Sequence, residues 1–462
     1  MIMALGFSFL SKKRLHLINL LPFLLVWPFS LLPQPSLEEL ASKADAYLQI
    51  QTRLGRFSGA VLISQSGKII LAKAYGLANY ELKAPLHVRS KFRIGSLTKS
   101  FTAAAILQLA EKGALRLEDP LARFLPDYPE GEKITIHHLL THTSGIANFT
   151  NLPEYAKFKL NPATPSQTIG LFRQLPLQFE PGAKFAYSNS GYILLTAVIE
   201  KVSGRRYADY LRENIFLPLN MLDTAYDDSD AVIKHRALGY SLKDGEMINA
   251  PYIDMTVPAG AGGLLSTVED LFAWDQVLRT DRLLSPLSRQ KMFTPYRQSY
   301  GYGWEITEVD GKKVARHSGG IEGFSSHFTR FLNENACLII LSNFDFAPLH
   351  QVREDLLALA SGKPIFWPKE RKATPLEPER LGLYCGDYEI APNLTLHISQ
   401  GNNRLWLQIA GEPRIEILAE SKTRFFGRLI EVQVVFSLDE EGKVIELLIY
   451  RDGKEIRAKK IR

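Results

Sequence analysis

The decisive stretch of this sequence is Arg93-Ile94-Gly95-Ser96-Leu97-Thr98-Lys99-Ser100-Phe101-Thr102-Ala103-Ala104. Residues three apart on a helix share one face, so the Ser96 hydroxyl and the Lys99 amine would stand side by side. A nucleophile and its proton acceptor can be held in this way. A second Ser-x-x-Lys, at Ser288 and Lys291, lies among charged residues typical of a solvated helix face. For Ser96 itself, the alternative is a serine that only caps a helix.

Composition limits the classes of protein that fit. The chain has 462 residues, of which 46% are hydrophobic, enough for a large core and two or three structural units. The formal net charge is +6, but the basic residues form no long run and no nucleic-acid-binding motif. We therefore predict no nucleic-acid partner. Cys337 and Cys385 have neither metal nor redox spacing; a buried thiol is expected for Cys337, and a disulfide between the two is the alternative.

The N-terminus has the pattern of an export signal. Residues 12–14 are basic, and the apolar stretch 17–32 is short and interrupted by prolines. We predict that residues 1–34 are a signal peptide or an uncleaved N-terminal anchor, which would be the only membrane attachment. The expected location is periplasmic or extracellular.

Periodicity indicates an α+β fold. A helix is expected from Ser36 to about Arg53, followed by a hairpin over residues 59–75. Helical segments separated by long loops fill residues 114–300, and strand patterns return over 303–342. We predict an antiparallel sheet flanked by helices, built from both ends of a unit at 35–366 with a helical region inserted. A linker at 367–375 and a small all-β domain at 376–462 complete the chain.

Two further motifs carry polar groups suited to catalysis. Tyr187-Ser188-Asn189 lies on a loop just before a predicted helix; a phenol beside an ammonium group can have a lowered pKa and carry protons. His317-Ser318-Gly319-Gly320 ends a predicted strand, where glycines would let a substrate approach and the Gly320 N–H could bind an oxyanion. Taken separately, a turn with an asparagine cap explains the first motif better, and a strand-end turn explains the second equally well.

The order of the three motifs resembles that of the serine β-lactamase and penicillin-binding-protein superfamily, on the class C side. That family has Ser-x-x-Lys, Tyr-x-Asn and Lys-Thr-Gly motifs, and the first two match Ser96 to Lys99 and Tyr187 to Asn189. Residues 139–146 and 260–267 also resemble stretches common in these proteins. The resemblance spans about 40–360.

The resemblance implies acyl transfer through a serine nucleophile. Ser96 would attack, and Lys99 and Tyr187 would exchange the proton, with the base left open between them. The substrate-binding and oxyanion residues would be Asn189, His317, Ser318, Gly319 and Gly320. The family's C-terminal β-domains suggest a lid or specificity role for residues 376–462. No cofactor is implied.

One departure from the family pattern affects the expected substrate. His317 stands where β-lactamases have lysine, and a histidine is only partly charged near neutrality. This disfavours efficient β-lactam hydrolysis and resembles the esterase and D-amino-acid peptidase branches. We predict small-molecule or short-peptide ester or amide substrates, including peptidoglycan-derived ones. The alternatives are a true β-lactamase, or a non-catalytic peptidoglycan- or partner-binding protein on the same scaffold.

Two histidines raise the alternative of a metal site. His138 and His142 are four apart and could ligate a metal from one helical face. Leu139 follows His138, so the glutamate of the His-Glu-x-x-His zinc pattern is missing. We therefore predict no metal and interpret both histidines as structural.

Overall fold

A computed structural model describes residues 36–392, 394–410, 414–451 and 454–461. The predicted signal or anchor at 1–34 lies outside them. The helices are α1 (Leu37–Arg53), α2 (Thr98–Glu111), α3 (Ile136–Leu140), α4 (Tyr155–Phe158), α5 (Pro165–Gly170), α6 (Asn189–Ser203), α7 (Tyr207–Leu211), α8 (Ala259–Gly262), α9 (Val268–Val277), α10 (Pro286–Met292), α11 (Leu349–Ala360) and α12 (Pro378–Leu381). Within the described ranges, no helix has both the length and the apolar character needed to cross a membrane.

The strands of the first unit form a large sheet and several short pairings. They are β1 (Gly59–Gln65), β2 (Lys68–Tyr75), β3 (Leu77–Asn79), β4 (Ala84–Pro85), β5 (Phe92–Arg93), β6 (Ala225–Tyr226), β7 (Tyr240–Lys243), β8 (Glu246–Asn249), β9 (Leu264–Ser266), β10 (Glu305–Val309), β11 (Lys312–Ile321), β12 (Phe324–Phe331) and β13 (Ala336–Ser342). Six of them make an antiparallel sheet in the order β10-β11-β12-β13-β1-β2. The predicted α+β fold, with a sheet drawn from both ends of the unit, is confirmed.

Helices cover both faces of this sheet. β13 is buried along its whole length and β1 along all but its last residue, as expected for strands packed on two sides. On one face, α1 and α11 contribute to a core with β1 and β13. On the other, α2 and α6 belong to the largest core. Eleven of the fourteen residues of α2 are buried, so this helix runs through the interior.

The C-terminal unit is a closed eight-stranded barrel, which confirms the predicted all-β character. Its strands are β14 (Gly386–Ala391), β15 (Leu394–Gly401), β16 (Arg404–Ile409), β17 (Ile415–Ala419), β18 (Arg424–Gly427), β19 (Gln433–Leu438), β20 (Val444–Arg451) and β21 (Lys454–Lys460). Inward-facing apolar side chains, Tyr388 and Phe436 among them, fill its interior. Residues 361–377 contain neither helix nor strand, and the boundaries predicted at 367–375 stay predictions.

The barrel docks on the first unit through arginine contacts. Arg56, only 2% exposed, donates to the Gly427 and Arg428 carbonyls and to the Glu431 carboxylate. Arg404 bridges Glu416 of the barrel to Glu246 of the β7–β8 hairpin. The barrel thus contacts both the segment before β1 and this hairpin.

Several local expectations need correction. β11 runs on to Ile321, so residues 317–320 lie inside a strand, because the strand keeps its register with β12 through both glycines. α6 begins at Asn189, so this residue is helical. Ser288 is buried and does not lie on a solvated helix face, because it shares the buried face of α10 with Met292. Both cysteines are free thiols, so the alternative of a disulfide is not supported.

Candidate active site

Ser96 lies in a single 3₁₀ turn, Gly95–Leu97, directly before α2. It is not a helix cap: neither this turn nor α2 has a side-chain cap bond at its N-terminus. Gly95 has a φ of 50°, and a Cβ there would lie 2.9 Å from the Gly320 nitrogen. The glycine therefore lets the turn approach β11 closely.

Lys99, in the first turn of α2, is fully buried next to Ser96. Its Nζ lies 2.9 Å from Ser96 Oγ, 2.8 Å from Asn189 Oδ1 and 2.7 Å from the Ala261 carbonyl oxygen. Burial holds the pKa of Lys99 well below its ordinary value. No carboxylate pairs with it in the described part of the chain. A neutral amine would donate to the two carbonyl oxygens and keep its lone pair for the Ser96 hydroxyl.

The short helix α8, which supplies the Ala261 carbonyl, depends on a glycine. A Cβ on Gly260 would lie 2.4 Å from Thr196 Oγ1 and 3.0 Å from Thr102 Oγ1. Only glycine lets this segment pack directly over α2 and α6. The stretch 260–267 was recognised in the sequence by resemblance alone, and its contact with Lys99 was not predicted.

Tyr187 is the second titratable side chain that contacts Ser96. Its hydroxyl donates to Ser96 Oγ at 2.9 Å. Burial raises the pKa of Tyr187 above its ordinary value, which corrects the expectation of a lowered one. The reason is that desolvation outweighs any effect of the neighbouring lysine. At neutral pH this phenol is therefore a proton donor.

Asn189 and the strand residues complete the surroundings of Ser96. Asn189 Nδ2 donates to Thr150 Oγ1 at 3.3 Å, while its oxygen receives the bond from Lys99. Both polar ends of this amide thus have protein partners. In β11, a Cβ on Gly319 would lie 2.1 Å from the Ile94 carbonyl oxygen, whereas a Cβ on Gly320 would meet no heavy atom within 4 Å.

His317 is buried and uncharged at neutral pH, whereas the sequence alone predicted a partly charged histidine. Its Nδ1 lies 2.7 Å from the Ser318 carbonyl oxygen and its Nε2 2.9 Å from the Tyr300 hydroxyl. Burial, together with repulsion from Lys99 when that amine is protonated, lowers the pKa of His317 to about 4. Ser318 Oγ is 3.0 Å from His327 Nδ1. Nothing in the sequence indicated Tyr300 or His327.

His142 holds the Tyr187 segment in place, a role that the sequence did not reveal. Its carbonyl accepts from the Ala186 N–H at 2.9 Å and its Nδ1 accepts from the Ser188 N–H at 3.2 Å. Its ring centroid is 4.3 Å from that of Tyr187. His142 is 1% exposed and has a φ of 56°. The match over residues 139–146 was the only signal available.

His138 and His142, the candidate metal ligands, do not share a helical face, since α3 ends at Leu140, before His142. His138 belongs instead to the cap of α3, where its Nδ1 accepts from the Thr135 N–H at 3.2 Å. In the ranges that the structure describes, no group of three potential ligands is suitably placed for a metal.

A cavity of about 430 Å³ opens beside Ser96. Its wall is mainly apolar and contains two carboxylates; the lining residues are Ser96, Phe149, Thr150, Tyr155, Asn189, Pro258, Ala261, Gly262, Gly320, Ile321, Glu322, Phe324 and Asp345. The three predicted motifs therefore meet at one place, and Asn189 and Gly320 face the cavity together with Ser96.

Fold and site together define a serine hydrolase with a β-lactamase-type architecture. The chain belongs to the β-lactamase family, whose model matches residues 43–362. A second model, described as a domain of unknown function (DUF3471), matches residues 370–460.

Individual proteins extend this relationship. Penicillin-binding protein 4* of Bacillus subtilis is 33% identical over 431 residues, covering 87% of this chain and 95% of that protein. The octameric penicillin-binding protein homologue from Pyrococcus abyssi is 26% identical with a TM-score of 0.65, covering 90% and 99%. The D-amino acid amidase from Ochrobactrum anthropi, complexed with D-phenylalanine, is 26% identical with a TM-score of 0.62, covering 70% and 98%.

Proposed function

We propose that this serine hydrolase cleaves esters or amides of small molecules or short peptides, including cell-wall-type peptides, through an acyl-enzyme on Ser96. One observation carries the proposal: Lys99 Nζ and Tyr187 Oη each lie 2.9 Å from Ser96 Oγ. A hydroxyl held between a buried amine and a buried phenol can lose a proton to one while the other supplies a proton to the leaving group.

The shifted pKa values of Lys99 and Tyr187 support one division of the two roles. Because burial favours the neutral amine, Lys99 accepts the Ser96 proton as Oγ bonds to the substrate carbonyl carbon. The N–H groups of Ser96 and Gly320 stabilise the oxyanion. Tyr187 protonates the leaving group as its bond breaks, and the proton on Lys99 replaces the one that Tyr187 gave up. Water then attacks the acyl carbonyl and releases Ser96.

The neutral state of His317 supports substrates other than β-lactams. A β-lactamase lysine offers a permanent cation to the substrate carboxylate, whereas the buried His317 offers none at neutral pH. Similarity to a D-amino acid amidase supports amide or ester substrates. The basic and apolar residues of 1–34 support export to the periplasm or beyond.

Labelling with a fluorophosphonate tests the proposal. We expect a covalent adduct on Ser96 in the wild type and none in Ser96→Ala, with turnover lost in the same variant. Ser288→Ala is the matched control, because it removes the serine of the other Ser-x-x-Lys. A folded wild type without an adduct on Ser96 would contradict the hydrolase proposal and favour the alternative of a non-catalytic binding protein. A cephalosporin as the best substrate of a panel would overturn the inference from His317.

A further inference from the structure

The cavity beside Ser96 lies on one side of the proposed reaction. Asn189, Ala261 and Gly320 line it, but Tyr187, His317 and Ser318 do not. Since Tyr187 is proposed to protonate the leaving group, the leaving group departs on the Tyr187 side. The cavity therefore receives the acyl part of the substrate, a step that rests on the proposed function.

The charge of the cavity wall is negative. Among the described residues that line it, Glu322 and Asp345 are the ones with a formally charged side chain. Glu322 is paired with Lys159 at 2.5 Å, with each side chain about one fifth exposed. That ion pair leaves Asp345 as the uncompensated charge, because no cation pairs with it in the part of the chain that the structure describes.

The Asp345 carboxylate is anchored through one of its two oxygens, although the residue as a whole is exposed. The Ser241 hydroxyl and the Gly323 N–H both donate to Oδ2. Oδ1 has no hydrogen-bond partner among the described residues, which leaves it available to a ligand in the cavity. Burial and the Glu322 carboxylate raise the pKa of Asp345, so the ionised form lacks stabilisation that a bound cation would provide.

The aromatic part of the wall is also suited to a cation. Lys159 Nζ lies 5.6 Å from the Tyr155 ring centroid, and the Arg93 guanidinium carbon 5.8 Å from that of Phe324. Two rings of this cavity thus already contact cations of the protein itself. Because Tyr155, Phe324 and Asp345 line the same cavity, a bound ammonium group would share it with a carboxylate and with aromatic rings.

We propose that Asp345 is a specificity-determining residue that binds an ammonium group on the acyl part of the substrate. The preferred substrates are then esters and amides of amino acids or peptides with a free amino group. Their N-acylated or anionic counterparts lack the charge that the wall of this cavity recognises.

Matched substrates test this subsite. For the wild type, we expect kcat/KM to be at least about tenfold higher for alanine p-nitroanilide than for its N-acetyl and N-succinyl forms, each with D- and L-alanine. In Asp345→Asn, the amine-to-acetyl ratio should fall to within about threefold of one, mainly through KM. Asp244→Asn is the matched control: it removes a carboxylate from the exposed turn of the β7–β8 hairpin, and its ratio should equal that of the wild type.

A second measurement needs no variant. Propylammonium should inhibit wild-type hydrolysis of N-acetyl-alanine p-nitroanilide competitively, and uncharged propanol should not. A wild-type ratio at or below one, or an unchanged ratio in folded Asp345→Asn, would overturn the subsite. If Asp345→Asn does not fold, absence of propylammonium inhibition overturns it instead. Failure of the proposed function is distinct, because Ser96 would then take no fluorophosphonate.

Discussion

The role proposed for Lys99 makes catalysis depend on the protonation state of one buried side chain. Its neighbours are the Tyr187 and Tyr192 rings, Asn189 and the Ala261 carbonyl, with His142 and His317 close enough to add repulsion when charged. None of these neighbours is an anion that would stabilise an ammonium.

The expected pH dependence follows from the direction of this shift. Protonation of Lys99 removes the base, so kcat/KM should fall as pH decreases through its lowered pKa and reach a plateau above it. Because the pKa of Tyr187 is raised, the plateau should extend to at least pH 10, where an ordinary tyrosine ionises. A pH–rate profile with an N-acetylated substrate, which does not itself titrate, checks this. A fall in rate between pH 7 and 9 would contradict it.

His142 should act as a positioning residue for Tyr187. His142→Ala removes the acceptor for the Ser188 N–H and places alanine at a φ of 56°, so we expect kcat to fall about 10- to 100-fold with a smaller change in KM. His142→Asn should recover part of the loss, because asparagine tolerates this φ and offers an amide oxygen as acceptor. Steady-state kinetics of the two variants test this prediction. An equal kcat in wild type and His142→Ala would exclude a positioning role for His142.

The sequence allowed the site to be predicted in two ways, by local spacing for Ser96 and Lys99 and by the resemblance in motif order for Tyr187, Asn189 and residues 317–320. Ser96 and Lys99 are three residues apart, so helical geometry alone brings them together. The contacts of His142 and Tyr300 join segments far apart in the chain, and no local pattern encodes them. The charge states of Lys99, Tyr187 and His317 depend on burial, which is set by the whole fold.

At the level of elements, β11 shows why the end of a strand was harder to predict than the presence of the strand. Glycines have low strand propensity, so the sequence pattern placed the end of the strand at His317. In the structure, pairing with β12 continues from Ser318 opposite His327 to Ile321 opposite Phe324. Cross-strand pairing overrides local propensity here.

The two glycines of β11 provide a matched pair of substitutions. Gly319→Ala should destabilise the protein by about 1–3 kcal/mol, because the new Cβ would lie 2.1 Å from the Ile94 carbonyl oxygen. Gly320→Ala should change the free energy of unfolding by less than about 0.5 kcal/mol, since no heavy atom lies within 4 Å. Denaturant unfolding compares them directly. Equal destabilisation of the two variants would contradict the close approach of β11 to the Ser96 turn.

At the scale of the whole molecule, Arg56 is a buried contact between the first unit and the barrel. Arg56→Ala leaves the Gly427 and Arg428 carbonyls and Glu431 without this donor, so we expect a loss of roughly 2–3 kcal/mol in barrel docking. Limited proteolysis within 361–377 should become faster. Arg53→Ala is the control, because its pair with Glu370 is exposed on both sides and should contribute little. Unchanged cleavage in Arg56→Ala would exclude this contact as the anchor.

The pairing of β1 with β13 has a consequence for the order of folding. Ser64 and Cys337 face each other across this pair although they are 273 positions apart in the chain. Closing so long a loop is slow compared with forming local helices. During synthesis, the ribosome must have released almost the entire first unit before β11 can be held against the Ser96 turn. A growing chain therefore lacks the proposed oxyanion site until most of the first unit has been synthesised.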